Sequence, residues 1–404
     1  MESQPDDLPP DMIFEILTRL SLEDIGRCRL VSKAWNLTTY ESIFMQQNCQ
    51  RAKTISGCFI ESWYKYCEPS PEFVSINNVS DCDPKLSLRF LPPPVKIEAA
   101  TKQGILLCMN DYRTRRLRIP EYYVCKPSTK EWHQIPNPKT RYFTEKMAML
   151  VLRSKPLRYK IVRFSQPKSP FTRYKSIWYK CYRCEIFDSE TWAWKRLKDV
   201  LLPDGKFIGF EPVVSACGVL YSLMPDNEIF AFHEDTESWT TFELPFPLCK
   251  KDYFKHMKLV EYRGRLGMLC MGENFIMQLW VMEGHDMKIW SKRETISIEA
   301  LRDVETHTTP AAMLSTGVAL MRGYSAVVFY DVKSGRPSIN VCKVGKFFDA
   351  IFPFQSDLEP VHLKKKSFTR GVGSAGGMRF PFLLFVVVLA WVFLFICSYL
   401  AYYS

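Results

Sequence analysis

The chain has 404 residues, a formal net charge of +11, 47% hydrophobic residues and 14% aromatic residues. This length allows more than one domain, and the aromatic content favours β-rich packing. The opening residues, MESQPDDL, contain acids and no apolar core, which argues against a secretory signal peptide. The 14 cysteines are scattered, so we expect a reduced, cytosolic chain without a disulfide framework.

The first fifty residues carry the pattern of several short helices. Pro9 and Pro10 suit a helix start, where a missing amide hydrogen does no harm. Ser21 and Asp24 resemble a capping box for a second helix. The first helix has an apolar stripe at helical spacing, formed by Ile13, Ile16, Leu17 and Leu20. So small a unit exposes more apolar surface than it can bury alone, which predicts a helical module that docks on a partner.

This region resembles the F-box in its plant form, with an LP-x-D start, then E-I-L and R-L, and then a Val, Lys and Trp motif followed by a Phe. The matching residues are Leu8-Pro9, Asp11, Glu15-Ile16-Leu17, Arg19-Leu20, Leu30-Val31-Ser32-Lys33-Ala34-Trp35 and Phe44. The resemblance implies binding to a Skp-family adaptor of a cullin-based, SCF-type ubiquitin ligase. By that analogy, the adaptor-binding residues are Leu8, Pro9, Ile16, Leu17, Leu30, Val31, Lys33 and Trp35. Part of this set can also hold the module's own core, together with Leu20, Ile25 and Phe44.

From about residue 95 to residue 360, short apolar runs broken by Gly, Pro, Asn and Asp predict an all-β region. One sequence pattern repeats there: an apolar strand, a turn of charged residues with Ser or Thr, and a Trp that begins the next strand. The Trp residues are Trp132, Trp194, Trp239 and Trp290, at intervals of 62, 45 and 51 residues. Periods near fifty predict propeller blades of the kelch type. We expect five or six blades, with the four Trp side chains packed between them.

Two stretches, Gly104–Cys108 and Val124–Trp132, resemble the F-box-associated, kelch-like domain that follows the F-box in a large plant family. The resemblance implies that this domain selects the protein to be ubiquitylated.

The basic residues are concentrated in one window. Between Lys139 and Lys198 there are 16 Lys or Arg residues and four acids. Such a window suits an acidic partner, nucleic acid or anionic lipid head groups, or is a solvated face of long loops. We expect no nucleic-acid partner.

No residue pattern indicates catalysis. The sequence has no Gly-rich nucleotide loop, no HExxH motif and no nucleophile elbow, and its six His residues are isolated. Cys181 and Cys184 lack two further ligands at zinc spacing. We therefore expect no catalytic residue, no metal, no cofactor and no enzyme activity.

The stretch Phe380–Ala401 has no charged residue, and its 22 residues would span about 33 Å as a helix. Trp391 falls mid-span and Tyr399 near the far end, and basic residues precede the stretch. We interpret it as a tail anchor, marked by Phe380, Trp391, Tyr399 and Ala401. The alternatives are a cleaved lipid-anchor signal and a buried helix. The anchor would make the protein single-pass, with lipid contact, its bulk in the cytosol and the endoplasmic reticulum as the favoured membrane.

The expected fold is multidomain: a small all-α F-box module, an all-β kelch-like propeller and one transmembrane helix. The expected bounds are 1–50 for the F-box, 51–94 for a connecting segment, 95–360 for the propeller, 361–379 for a basic flexible linker and 380–401 for the transmembrane helix. The predicted function is the substrate-recognition subunit of an SCF-type ligase, tethered to a membrane. Its partners would be the Skp-family adaptor, cullin and an unknown protein substrate. The alternative is a membrane-anchored propeller scaffold that is not coupled to a ligase.

Overall fold

The computed structural model describes most of the first 364 residues. The described residues are 9–20, 22–39, 44, 47–48, 51, 55–62, 71–76, 86–92, 94–110, 120–154, 156–174, 176–209, 211–249, 254, 256–272, 274–284, 289–302, 307–314, 317–324, 326–332, 336–343, 348–357 and 361–364. The chain divides after Lys365, and all of these residues belong to the first unit.

The described part of the amino-terminal module includes the short helices α1 (Pro10–Leu17), α2 (Leu22–Val31) and α3 (Lys33–Thr38). Helix α1 begins with a proline, as expected at a position whose amide has no helical partner. Helix α3 begins where the Ser32 hydroxyl accepts a hydrogen bond from the Ala34 amide at 3.2 Å. The module has its own small core of Leu17, Ile25 and Phe44, against which neighbouring apolar side chains pack.

The rest of the described chain is a ring of antiparallel sheets. The first blade holds β3 (Val95–Ala100), β4 (Leu106–Asn110), β5 (Tyr122–Lys126) and β6 (Glu131–Ile135). The second holds β7 (Phe143–Arg153), β8 (Arg158–Gln166), β9 (Phe171–Tyr174), β10 (Ile177–Asp188), β11 (Ala193–Arg196) and β12 (Val200–Pro203). The third holds β13 (Val214–Ala216), β14 (Val219–Leu223), β15 (Glu228–His233) and β16 (Ser238–Glu243).

The fourth blade holds β17 (His256–Tyr262), β18 (Arg265–Met271), β19 (Ile276–Glu283) and β20 (Ile289–Ser297). After a 3-10 turn at Glu299–Leu301, the fifth holds β21 (Thr309–Met313), β22 (Val318–Arg322), β23 (Ala326–Asp331) and β24 (Arg336–Lys343). The closing blade joins the two ends of the ring, because β1 (Ile55–Ser62) lies between β2 (Glu72–Ser75) and β25 (Phe348–Ser356).

The pairing of β1 with β25 closes the ring. Ile55 lies opposite Ser356, and the register continues to Ser62 opposite Phe348 with one irregularity. The two strands are separated by nearly 290 residues of chain, and the other five blades lie between them in the sequence. Six apolar clusters, one between each pair of neighbouring blades, fill the ring. The ring is therefore a six-bladed β-propeller.

The chain after β25 reinforces this closure. Leu363 is buried in the core between the first and second blades, and its carbonyl accepts a hydrogen bond from the Tyr159 hydroxyl at 3.0 Å. The Val361 amide donates to the Glu131 carboxylate at 2.8 Å. Residues 361–364 are thus held against the ring and do not extend away from it.

The structure corrects the expected fold class at its carboxyl end. The residues 380–401, with the expected anchor residues Phe380, Trp391, Tyr399 and Ala401, lie outside the described residues. In the part of the chain that is described, no helix has the length and apolar character needed to cross a membrane. The expected transmembrane helix and single-pass membrane localisation therefore find no support in the described structure and are withdrawn. The ring also includes β1 and β2, which fall in the expected connecting segment 51–94.

A buried charged network fixes the second blade. Arg163 donates to the Glu185 carboxylate at 2.6 Å, and both side chains are almost wholly buried. The remaining guanidinium hydrogens reach the Thr144 hydroxyl, the Thr140 hydroxyl and carbonyl, and the Tyr142 carbonyl. The Glu185 carboxylate also accepts from the Thr140 amide and hydroxyl. Because every guanidinium nitrogen and both carboxylate oxygens have partners, the network holds the loop that leads from the first blade into β7.

We expect Arg163→Met to lower the free energy of unfolding by about 3 to 5 kcal/mol, because it leaves the Glu185 charge buried without its partner. Arg153→Met is the matched control, at an exposed position in the same basic window, and should change stability by less than about 0.5 kcal/mol. Urea unfolding followed by circular dichroism measures both. Equal stabilities for the two variants would contradict a structural role for the network.

Candidate functional site

Helix α1 carries two apolar faces. Ile13 and Leu17 point into the module's core, and Leu17 is buried there. Pro9, Met12 and Ile16 follow one another at i, i+3 and i+7 and are exposed, Ile16 at 47%. The core is already formed by the inward face, so the outward stripe is open to a partner.

The end of α2 and the start of α3 also carry exposed side chains. Val31 is 70% exposed, and Lys33 is also exposed. Trp35 is partly buried and packs against the module's core. Leu8 lies outside the described residues, and the Leu30 side chain is likewise not described. The sequence-based set of docking residues is thus divided, with Leu17 and Trp35 serving the core and Pro9, Ile16, Val31 and Lys33 facing outward.

Sequence reasoning missed two contributions to the module. Met12 belongs to the outward stripe, and its position four residues before Ile16 was the available signal. The buried Asn48 amide donates to the carbonyls of Thr18 and Leu20, at 3.0 and 2.8 Å, where α1 ends. Carbonyls at a helix end have no partner within the helix, so Asn48 satisfies these two from 30 and 28 residues downstream. No local sequence pattern predicts such a contact.

The ring has two distinct faces. The innermost strands β3, β7, β13, β17, β21 and β25 run in the same direction around a central channel. We call the face where they begin the upper face, and the face where they end the lower face. Strand β1 starts opposite Ser356, at the end of β25. The helical module is therefore joined to the lower face.

The channel contains a cavity of about 450 Å³ lined by the six innermost strands. Near the lower face, the Lys102 ammonium lies 2.6 Å from the Glu261 carboxylate. Lys102 follows β3 in the first blade, and Glu261 belongs to β17 in the fourth blade, so the ion pair joins opposite sides of the six-bladed ring. The ion pair of Lys102 and Glu261 thus crosses the lower end of the channel.

Charged groups also lie towards the upper face. Lys258 is paired with the Glu211 carboxylate, and burial lowers the pKa of Lys258. Burial likewise lowers the pKa of Lys146 to about 8; the Glu98 and Glu211 carboxylates oppose this shift, whereas the Lys258 ammonium adds to it. Lys146 therefore carries less than a full positive charge in weakly alkaline solution. Among the residues described, no cluster of side chains is suited to hold a metal ion.

The four repeat tryptophans occupy different environments. Trp194 is buried between the first and second blades, and its indole nitrogen donates to the Pro136 carbonyl at 2.6 Å. Trp239 packs between the second and third blades, and Trp290 between the third and fourth. Trp132 begins β6 and is 37% exposed, with its ring centroid 5.8 Å from that of Tyr123.

The Cys181 and Cys184 pair lies within β10. Side chains three positions apart on a strand point to opposite faces. Both thiols are buried, and burial raises the pKa of each. Neither the spacing nor the environment suits a shared metal or a reactive thiolate.

Much of the basic window is used in ion pairs within the ring. Besides Arg163, the paired residues and their partners are Arg158 with Asp188 and Glu190, Lys160 with Glu234, Lys180 with Glu145, Arg183 and Arg196 with Asp199, and Lys195 with Glu237. The excess charge of the window is therefore not one continuous free surface.

Comparison with known families agrees with this architecture. Residues 5–40 match the F-box domain, and residues 57–342 match the F-box associated beta propeller domain. The second match covers more than half of the chain. The protein thus belongs to the family of plant F-box proteins that carry an F-box-associated β-propeller. The narrower kelch-like description is not supported.

Two relatives come from Arabidopsis thaliana. F-box protein At5g41720 is 38% identical over 38% of this chain and 84% of its own length. F-box protein At5g49610 is 24% identical over 81% of this chain and 90% of its own length.

Among solved structures, the chain is similar to the β-propeller domain of Cps50 (Swd1) from Myceliophteria thermophila. That similarity has a TM-score of 0.34 and 8% identity, over 62% of this chain and 87% of the other. The WD40 domain of SCAP from fission yeast also gives a TM-score of 0.34, with 9% identity over 62% and 55% of the two chains. The fold assignment rests on the strand pairing and not on similarities at this level.

We expect Lys146→Met to stabilise the protein at neutral pH, because it removes the cost of burying a charge. The folded-state pKa of Lys146 is about 8, below the ordinary value of 10.5, so its cost is fully present below pH 8 and is relieved as the pH rises towards 10.5. The stability advantage of the variant should therefore shrink across that interval.

Melting temperatures of the wild type and Lys146→Met, measured as a pH series, test this expectation. Lys139→Met, at an exposed lysine, is the control. An advantage of Lys146→Met that is constant from pH 7 to pH 10 would contradict the assigned environment.

Proposed function

We propose that this protein is a substrate-recognition subunit of an SCF-type ubiquitin ligase. F-box proteins in general are non-catalytic adaptors, and an F-box implies binding to a Skp-family adaptor. The observation that carries the proposal is the outward face of the helical module. Pro9, Met12, Ile16 and Val31 are exposed although the module already has a core of Leu17, Ile25 and Phe44.

The outward residues suit a protein interface. Exposed apolar side chains that lie together on a folded unit commonly mark an interaction site. The inward and outward faces of α1 are separate, so docking does not require the module's core to open. In this proposal the adaptor covers Pro9, Ile16, Val31 and Lys33, with Leu8 and Leu30 as further contacts, and Leu17 and Trp35 support the surface from within.

The ring supplies the second part of the function. Propellers present many loops on two faces of a rigid scaffold, an arrangement suited to recognition. We assign target binding to the propeller, and transfer of ubiquitin to the cullin-based complex with which the adaptor associates. No catalytic residue, cofactor or nucleic-acid partner enters this proposal.

We expect Ile16→Asp and Val31→Asp to weaken capture of a Skp-family adaptor by at least about tenfold each, because a carboxylate would be buried in an apolar interface. Both side chains are exposed in the free module, so its helical content should be unchanged. Purified full-length variants and a purified plant Skp-family adaptor, compared by surface plasmon resonance, give the measurement.

Leu37→Asp is the matched control, because Leu37 is an apolar residue of the same module, 64% exposed and outside the proposed contact set. It should retain adaptor binding within about twofold of the wild type, as surface substitutions outside an interface generally do. If Ile16→Asp and Val31→Asp bind the adaptor as well as the wild type does, the docking assignment is wrong. If the wild type itself fails to bind, coupling to a ligase is refuted.

A further inference from the structure

The exposed apolar side chains of the ring are distributed unequally between its faces. Eleven large apolar residues of the described ring are exposed, and strand direction assigns nine of them to the upper face. The nine are Phe143, Phe171, Tyr174, Ile177, Trp178, Leu201, Phe246, Ile276 and Tyr324. The two on the lower face are Trp132 and Ile289. The apolar face is therefore opposite the face that the helical module joins.

Five of the nine lie on one projection from the second blade, which we call the arm: β9, the first six residues of β10 (177–182), and β12. Only the second half of β10 pairs with β8 and β11, while residues 177–182 pair with β9 and β12. Six residues of strand correspond to about 20 Å. The hairpin turns at Ser176, whose φ is +68°, as tight hairpin turns often require.

Both sides of the arm are apolar and exposed. Tyr174 and Ile177 lie opposite each other on one side, and Phe171 and Trp178 lie on the other side. The exposed fractions of Phe171, Ile177 and Trp178 are 50%, 52% and 49%. All four residues of β9 are exposed, and β9 lies at the edge of its sheet. Edge strands with apolar side chains invite pairing with another extended chain.

The arm is also basic. From Phe164 to Cys184 the chain has five Lys or Arg residues and no Asp or Glu. Lys180 and Arg183 are paired with acids from other segments, but Lys168 and Arg173 are exposed beside the apolar side chains. A ligand for this surface would therefore combine bulky apolar groups with negative charge.

We propose that the arm is the target-binding surface of the receptor, and that it recognises an extended, acidic protein segment carrying bulky apolar side chains. The segment lies along β9, its apolar side chains contact Phe171, Ile177 and Trp178, and its carboxylates face Lys168 and Arg173. This inference rests on the proposed function and specifies the class of target.

The arm favours a protein segment over single-stranded nucleic acid. Nucleic-acid surfaces combine stacking aromatics with several cations along a groove. Here the aliphatic Ile177 and Leu201 are exposed together with the aromatics, and Lys180 and Arg183 are already paired with acids. On the described arm, five exposed apolar side chains thus accompany two exposed cations, Lys168 and Arg173, which form no ion pair with a described residue.

A phage-displayed library of random peptides, selected on the full-length protein in the absence of its adaptor, tests this proposal. We expect the selected peptides to be acidic and rich in bulky apolar residues. Synthetic copies should lose at least about tenfold in affinity for the variant Phe171→Thr/Ile177→Thr/Trp178→Thr, in which β-branched side chains retain the strand preference. Arg173→Glu should weaken the same peptides and remove most of the salt dependence of their binding.

The matched controls are Trp132→Thr/Ile289→Thr on the lower face and Arg153→Glu, which should bind the peptides as the wild type does. The proposal is overturned if no peptide is enriched, if the enriched peptides are not acidic, or if the triple variant binds them unchanged. It is also overturned if a single-stranded oligonucleotide binds the arm and displaces the peptides.

Adaptor capture is measured on the same preparations, without peptide. Loss of adaptor binding with intact peptide binding at the arm refutes the ligase function and leaves the arm assignment standing. Intact adaptor binding without peptide binding at the arm refutes the arm assignment alone.

Discussion

The pairing of β1 with β25 is the constraint on which the rest of the structure depends. A propeller blade cannot bury both of its sides alone, and each cluster in this ring is shared by two neighbouring blades. Without the closing blade, the first and fifth blades would each expose an apolar side to water. The cost of bringing distant parts of the chain together grows only slowly with their separation. The apolar contacts around Phe59 and Phe354, whose ring centroids are 5.1 Å apart, offset that cost.

The pairing of β1 with β25 also determines which face of the ring is available to a target. Strand β1 starts at the lower face, so the helical module leaves the ring there. The segment after β25 also runs along this side, where Tyr159 and Glu131 hold it against the first two blades. The upper face carries neither connection, and it is the face on which most of the exposed apolar side chains lie. One strand pairing thus separates the two proposed binding functions in space.

The sequence predicted those features that depend on short-range periodicity. Helical spacing identified the first helix, alternating apolar runs identified the strands, and the repeating Trp residues identified blades. The place of Trp194 between two blades follows from that repeat, whereas Trp132 stands in the same motif and is partly exposed. The motif specifies where a strand begins, but the neighbouring blade decides how much of the side chain is covered.

Features that depend on distant contacts were not predictable in this way. Asn48 reaches back to the end of α1, and β1 is recruited into the ring by a strand near the other end of the chain. In the sequence, Arg163 is one of 16 basic residues in a window, yet in the structure it is buried and forms an ion pair with Glu185. The terminal apolar run was interpreted as a membrane anchor from length and composition alone, and the structure does not support that interpretation. The arm was not predictable from the sequence. The two halves of β10 pair with different strands, but they do not differ in residue pattern.

The central claim is that the helical module binds a Skp-family adaptor while the ring remains free for a target. Hydrogen exchange of the full-length protein, measured by mass spectrometry with and without the purified adaptor, tests it most directly. We expect slower amide exchange in residues 9–39 on adding the adaptor and no change in the strands or the upper face of the ring. Protection of the arm by the adaptor, or no protection anywhere in the helical module, would contradict this account.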